Sequence, residues 1–427
     1  MSTNRSTGLP IAGSVAVAVN ARRRNGAWPD SRSITIALPP LAIPNASPQR
    51  IECLDILRGF ALLGMFIVHF HMQSTDPGGF DDVVRTLIWR LVETKSHGTF
   101  ALLFGAGFAI QLRRAEAHGR PFAGIYLRRL AVLALFGFAA HAFFGYNVLL
   151  GYAVWAVPLV VIRQWSTRAL LATAIVSAAS VVLYTMTTTW LLCNLGPDCV
   201  AAAAKARRAE AIAVNQALEA AEMQASYLLL LSARLRHMAW FYAQPFFVMP
   251  GATLALFIAG FLFVRHRVFD DARAHHRLLG AMAAFGFVSW VLDNWLLPTG
   301  LGLVRDQWLT FTCVAGGLLL LAHVPALAVR LRPVAAAGRM ALTNYLLQIA
   351  TLDLLFSGYA LGLGKIRPVF GFLTALAFFG AEAAFSTIWL RHFHFGPAEW
   401  LWRSLAYGQR QPMRRPSVSP ESETVSA

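Results

Sequence analysis

From residue 54 to residue 390 the chain is a succession of apolar blocks, most close to the roughly 20 residues that cross a bilayer as a helix, separated by Arg-containing connections. The blocks are continuously apolar rather than striped, so they do not read as the amphipathic helices of a soluble bundle. Nor do they alternate apolar and polar residues, as barrel strands would. Composition agrees: 57% of residues are hydrophobic, only 14% are charged and mean hydropathy is +0.53. An ordinary soluble domain carries about 25% charged residues.

The pattern predicts an all-α, polytopic transmembrane helix bundle of about ten spans. Their expected limits are 54–73, 99–112, 128–145, 146–162, 169–192, 245–264, 278–297, 308–329, 340–360 and 368–390. The third and fourth are nearly continuous through Gly145, Tyr146 and Asn147, which predicts a tight hairpin or a re-entrant turn. A net charge of +16 raises the question of nucleic acid. The Arg residues, however, stand at the ends of apolar blocks rather than along one polar face, so the expected partner is the lipid bilayer and not a nucleic acid.

Those charges also orient the chain. Of 37 Lys and Arg residues, 26 fall on the side shared with the N-terminus and 11 on the other, which places both termini in the cytoplasm of a multi-pass protein of the cell membrane. Residues 1–50 read as a disordered N-terminal tail, 51–403 as the transmembrane domain and 404–427 as a basic disordered C-terminal tail. The connection 194–244 is expected outside, with its Ala-rich stretch from Val200 to Ala225 forming a surface helix. Four cysteines are too few for a disulfide framework. Cys193 and Cys199 flank a turn-like segment at the outer mouth of the fifth span and either form a local bridge or remain thiols, while Cys313 is expected buried in a span. No metal-ligand spacing stands out.

Polar residues inside spans are the candidates for function or for helix pairing. Arg58 and His69 lie eleven helical steps apart, returning to within about 20° of one face some 16 Å along the axis, and Asp55 can pair with Arg58. A first-span Arg is ordinarily a topology anchor, whereas a His deep in a span faces a polar interior, either as a hydrogen-bonding structural residue or as a proton carrier. His141, Asp293, Asn294, Asn344, Gln348, Asp353 and Glu382 are the other polar groups, and Asn344, Tyr345 and Gln348 suit either an interhelical seam or a ligand wall. Gly105, Gly107 and Gly137 predict close helix packing. P-loop, dinucleotide and nucleophile-elbow motifs are absent.

Three stretches resemble the YeiB-like membrane proteins, also known as the domain of unknown function 418 family. They are Arg50 to His71; Leu103 to Phe108 running on to Arg128, Arg129 and His141; and Gly338 to Gln348 together with Phe395 to Arg403. That family is distantly similar to membrane acyltransferases that move acetyl groups onto sugars. The resemblance implies catalytic roles for His69 and His141, and substrate contacts at Asp55, Arg58, Arg128, Arg129, Asn344, Tyr345, Gln348 and Glu382. It implies an acyl-CoA donor as substrate, no bound cofactor, and a glycan or lipid-linked acceptor. Two positions depart from it, His69 where relatives commonly carry Asn and Asn147 where an acidic residue is expected. Three functions stay open: acyl transfer, proton-coupled transport past Glu382, Asp293 and Asp353, and a membrane scaffold or sensor. Oligomeric state is not legible.

Overall fold

The computed structural model describes residues 48–75, 78–119, 121–145, 147–194, 196–244, 251–292 and 308–415. Among the described residues the chain is all-helical, with only two isolated bridges, Ser74 to Ile366 and Phe393 to Arg414. Helix α1 runs over Pro48–Met72 and α2 over Phe80–Ile88; a π-helical turn then leads into α3, Thr94–Ala117. Next come α4 (Ala123–Phe144), α5 (Leu149–Trp155), α6 (Val157–Ile162), α7 (Thr167–Asn194), α8 (Pro197–Glu222) and α9 (Tyr227–Ala243). The second half holds α10 (Gly251–Arg265), α11 (His276–Val291), α12 (Trp308–His323), α13 (Pro325–Arg330), α14 (Arg332–Arg339), α15 (Ala341–Phe356), α16 (Pro368–His392) and α17 (Pro397–Tyr407).

Among the described residues, three helices are long and apolar enough to cross a membrane: Glu52–Met72 within α1, α4, and α16. Shorter apolar helices cover Leu149–Ile162, Thr167–Ser180, Gly251–Arg265, Leu309–His323 and Ala341–Phe356. At 1.5 Å per residue a 16-residue helix reaches only about 24 Å, short of the roughly 30 Å hydrocarbon layer. The expected limits therefore need correction at several places. The span expected at 146–162 is divided between α5 and α6 where Pro158, near the start of α6, has no N–H to donate. The span expected at 308–329 ends at His323, and Pro325 opens a separate short helix. The segment 99–112 belongs to a longer helix that starts at Thr94 and runs to Ala117.

Large apolar side chains cover the outside of this bundle. On α16, Phe370, Leu373 and Ile388 are all more than half exposed. Water would penalise that surface, whereas lipid chains match it. Cys313 belongs to this outer surface: it lies in α12 as expected, but faces outward rather than into the core. The side chains of Cys193 and Cys199, the residues Asp293 and Asn294, and residues 1–47 lie outside what is described.

Glycines set the closest crossings. A Cβ on Gly105 would overlap the Phe257 carbonyl, and one on Gly260 the Leu102 carbonyl, so α3 and α10 touch backbone to backbone. Gly137 lets α4 approach Leu150 in the same way. The hairpin expected after α4 is present: Gly145 has φ +95°, and buried Asn147 donates from Nδ2 to the Gly137 carbonyl at 3.0 Å while accepting from the Leu149 N–H at 3.1 Å. An amide can do both at once, and a carboxylate could not donate.

Two expectations about connections change. The segment 194–244 is a helical hairpin in which α8 is mostly exposed but α9 buries Leu230, Ala233, Arg234 and Met238. Residues 404–415, expected within a disordered tail, are structured. Helix α17 continues to Tyr407, and the following segment folds back so that the His394 N–H donates to the Met413 carbonyl and the Arg415 N–H to the His392 carbonyl.

Candidate functional site

The end of the bundle expected to face outward contains a cavity of about 1000 Å³. His69 near the end of α1 and His141 near the end of α4 both line it. They reach it because the C-terminal ends of α1 and α4 both border it, together with the C-terminal end of α15 and residues of α8 and α9. His141 is 1% exposed, and its Nδ1 lies 3.2 Å from the Tyr242 hydroxyl; the ring of His237 is 6.2 Å away. The His69 ring packs 6.1 Å from that of Tyr345, and its Nδ1 is buried without a hydrogen-bond partner. Glu219, Glu222 and Lys365 add charge to the walls, and Trp240, Phe241 and Phe356 add apolar surface.

A buried ion pair supports this chamber. Arg234 on α9 pairs with Asp353 on α15, and their side chains are 4% and 0% exposed. Arg234 also donates to the Phe143 carbonyl at the end of α4 at 2.6 Å. Asp353 accepts from the hydroxyls of Ser357 and Tyr359, each at 2.6 Å. Three elements, α4, α9 and α15, are thereby tied at one point. The Gly358 N–H completes the attachment by donating to the Glu222 carbonyl at 2.7 Å.

The opposite end is basic. Arg58 donates to Asp55 at 2.9 Å and leans toward Gly107 of α3. Arg129 is 5% exposed, lies 4.1 Å over the Trp402 ring and donates to the Tyr407 hydroxyl at 2.9 Å. The Trp402 indole N–H donates in turn to the Arg129 carbonyl, which binds α17 to α4. Arg128 is exposed and sits beside Gly408.

Between the ends runs a buried polar seam. Asn344 donates to Ser386 at 2.9 Å and to the Ala337 carbonyl, and Gln348 donates to Glu382 at 2.7 Å. The Tyr345 hydroxyl accepts from the Val148 N–H at 3.3 Å. These are contacts between helices. Below the seam Glu399 accepts from the backbone N–H groups of Leu342 and Thr343 and from the Thr343 hydroxyl at 2.7, 3.1 and 2.5 Å, while that hydroxyl accepts from the Ala398 N–H. Each of α15 and α17 thus caps the other's N-terminus, where free N–H groups need acceptors. Gly396 is required beside them, because a Cβ there would strike Glu399 and Thr343. Replacing Glu399 with Ala is expected to cost about 1–3 kcal/mol by leaving buried donors unsatisfied. Thermal unfolding in detergent measures this, and an unchanged midpoint would mean that the reciprocal cap does not matter.

Of the ten residues singled out from the sequence, only His69 and His141 meet in the cavity. Asp55, Arg58, Arg128 and Arg129 stand at the basic end. Asn344, Tyr345, Gln348 and Glu382 form the seam, the first of the two arrangements that the spacing of Asn344, Tyr345 and Gln348 suits, and Gln348 is the partner of Glu382 that spacing could not reveal. Arg58, which spacing puts on the same face of α1 as His69, does not line the chamber. Sequence reasoning misses Arg234 and His237 because it takes α9 for part of a solvated loop. A signal is present all the same: the apolar run Leu228 to Leu231 shortly precedes Arg234.

Comparisons with known proteins bear on both ends. Residues 263–409 match the family described as protein of unknown function DUF418, and a stretch of 76 residues is 51% identical to YeiB of Escherichia coli (strain K12), covering 17% of this chain and 18% of that protein. Over those stretches the chain is similar to that family and to YeiB. Residues 50–198 match the family described as heparan-alpha-glucosaminide N-acetyltransferase, catalytic, which gives this stretch a distant similarity to transmembrane acyltransferases. YxaH of Bacillus subtilis (strain 168), an uncharacterised protein, is 28% identical over 395 residues, 87% of this chain and 98% of its own length. An uncharacterised 39.9 kDa protein of Bacillus acidopullulyticus is 27% identical over 385 residues, 87% and 97% respectively. No solved structure matches.

Proposed function

We propose that this YeiB-like chain is a membrane acyltransferase of about ten spans, with both termini cytoplasmic, in which the shorter apolar helices cross the bilayer together with the three long ones. The donor is a cytoplasmic acyl-CoA whose anionic end rests at the basic end of the bundle, and the acceptor is a glycan or lipid-linked hydroxyl or amine entering the outer cavity. One observation carries the reading: His69 and His141 both fall inside the stretch resembling an acetyltransferase catalytic domain, and both reach the same cavity.

The chemistry is general-base acyl transfer. An imidazole takes the proton of the acceptor, the acceptor oxygen or nitrogen forms a bond to the thioester carbonyl carbon, the carbon–sulfur bond breaks, and the thiolate leaves to be protonated. A thioester on a long pantetheine-like arm can bridge the roughly 16 Å that separates Arg58 from His69 along α1. A transport pathway through Glu382 and Asp353 has less support, because Gln348 donates to the first and Arg234, Ser357 and Tyr359 hold the second.

Purified protein in vesicles, given radiolabelled acetyl-CoA on the basic side and a panel of glycan and lipid acceptors on the other, tests the reading. Label on an acceptor, with free thiol released faster than from empty vesicles, is the expected result. Thiol release no faster than that background across the panel overturns it.

A further inference from the structure

Arg114 of α3, Arg129 of α4 and Arg403 of α17 lie within reach of one another's fields, and Arg128 stands beside Gly408 at the end of α17. Arg129 is deeply buried, Arg114 and Arg403 are half-buried, and Arg128 is exposed, so the group grades from the surface inward. None of the four forms an ion pair with a carboxylate among the described residues. What Arg129 has is a hydroxyl from Tyr407 and the face of Trp402, and Arg403 lies 4.4 Å over the Phe395 ring. The Nε atoms of both Arg129 and Arg403 are buried with no hydrogen-bond acceptor. Burial, and next the charge of Arg129, push Arg403 down to about 10. Glu399 is the carboxylate whose field reaches Arg403, yet its oxygens already serve the start of α15. Buried like charges with free donors are costly until an anion joins them.

We propose that Arg129 and Arg403, with Arg114 and Arg128 at the rim, form a binding site for a phosphate group. Guanidinium forks match phosphate oxygens two at a time, and several forks around one point suit a phosphate ester or diphosphate better than a single carboxylate. The bearer is either a soluble phosphorylated ligand or the headgroup of an anionic lipid in the adjacent leaflet. The first case deepens the acyl-transfer reading and rests on it, since the phosphorylated end of the donor would occupy the site. The site itself stands without that reading.

The full chain, delipidated in detergent, is titrated with inorganic pyrophosphate by calorimetry, and its melting is compared in nanodiscs of phosphatidylglycerol and of phosphatidylcholine. Pyrophosphate binding that falls about tenfold or more in Arg129→Lys and Arg403→Gln supports a soluble ligand. Stabilisation by phosphatidylglycerol alone, lost in the same variants, supports a lipid headgroup. Arg129→Lys keeps the charge and removes the fork, and the melting of each variant without ligand is measured alongside, so that a loss of binding is read in folded protein. Arg391→Gln, an exposed Arg on α16, should leave either signal unchanged. Absence of both signals overturns the site, as does equal binding in the variants or an equal loss in Arg391→Gln. No readout depends on turnover, so failure here is distinct from failure of acyl transfer.

Discussion

Arg234→Ala destabilises the protein by about 3–5 kcal/mol, because it strands Asp353 as a buried charge whose guanidinium partner is gone. The loss reaches further than one pair. Arg234 also satisfies the Phe143 carbonyl, and Asp353 holds Ser357 and Tyr359, so the α8–α9 hairpin loses its anchor to both α4 and α15. Asp353→Asn removes the opposite partner and should cost a similar amount. An apolar double replacement, Arg234→Met with Asp353→Leu, should recover much of the loss, since two charges removed together leave neither uncompensated. Thermal and chemical unfolding in detergent give these values. Arg234→Ala melting within about 0.5 kcal/mol of wild type would show that the pair does not hold the hairpin.

His141→Ala and His69→Ala are each expected to lower acyl transfer by about 10²- to 10⁴-fold, the usual range for losing a general base or acid. His141 has an imidazole held by the Tyr242 hydroxyl beside its Nδ1, as a positioned base requires. His69 stands across the same chamber with Tyr345 beside it. His69→Asn separates the two roles, because it introduces the residue the family resemblance associates with this position. Full turnover in His69→Asn assigns proton transfer to His141 alone, and a fall matching His69→Ala makes both imidazoles necessary. Wild-type turnover in both His141→Ala and His69→Ala would falsify catalysis in this cavity. Arg58→Ala should act differently, weakening donor affinity with little effect on turnover at saturation, because Arg58 stands outside the chamber and pairs with Asp55.

Features that depend on neighbours along the chain are legible in the residues themselves. The long helices α1, α4 and α16 follow from apolar runs, the α4–α5 hairpin from Gly145 and Asn147, and the common sidedness of Asp55, Arg58 and Arg129 from their place in the topology map. The family blocks are legible too, and the structure gives one of them a physical cause. Gly396 and Glu399 with Leu342 and Thr343 are two halves of one reciprocal helix cap. Helix α9 is misjudged from sequence because its short apolar run, interrupted by Arg234 and Arg236, resembles a solvated connection until Asp353 is placed opposite it.

Sequence by itself determined that this chain is helical, how its apolar runs are spaced and which of its ends is basic, since apolar run length, turn chemistry and the position of Arg are local properties. Tertiary structure alone decided which polar groups meet. Arg234 finds Asp353 across 119 positions, Gln348 finds Glu382, and His69 and His141 share a chamber while Arg58 does not. The reason is geometric: a contact between distant residues depends on how helices cross, and the crossings are set by the summed fit of many small side chains, glycines such as Gly105 and Gly260 above all.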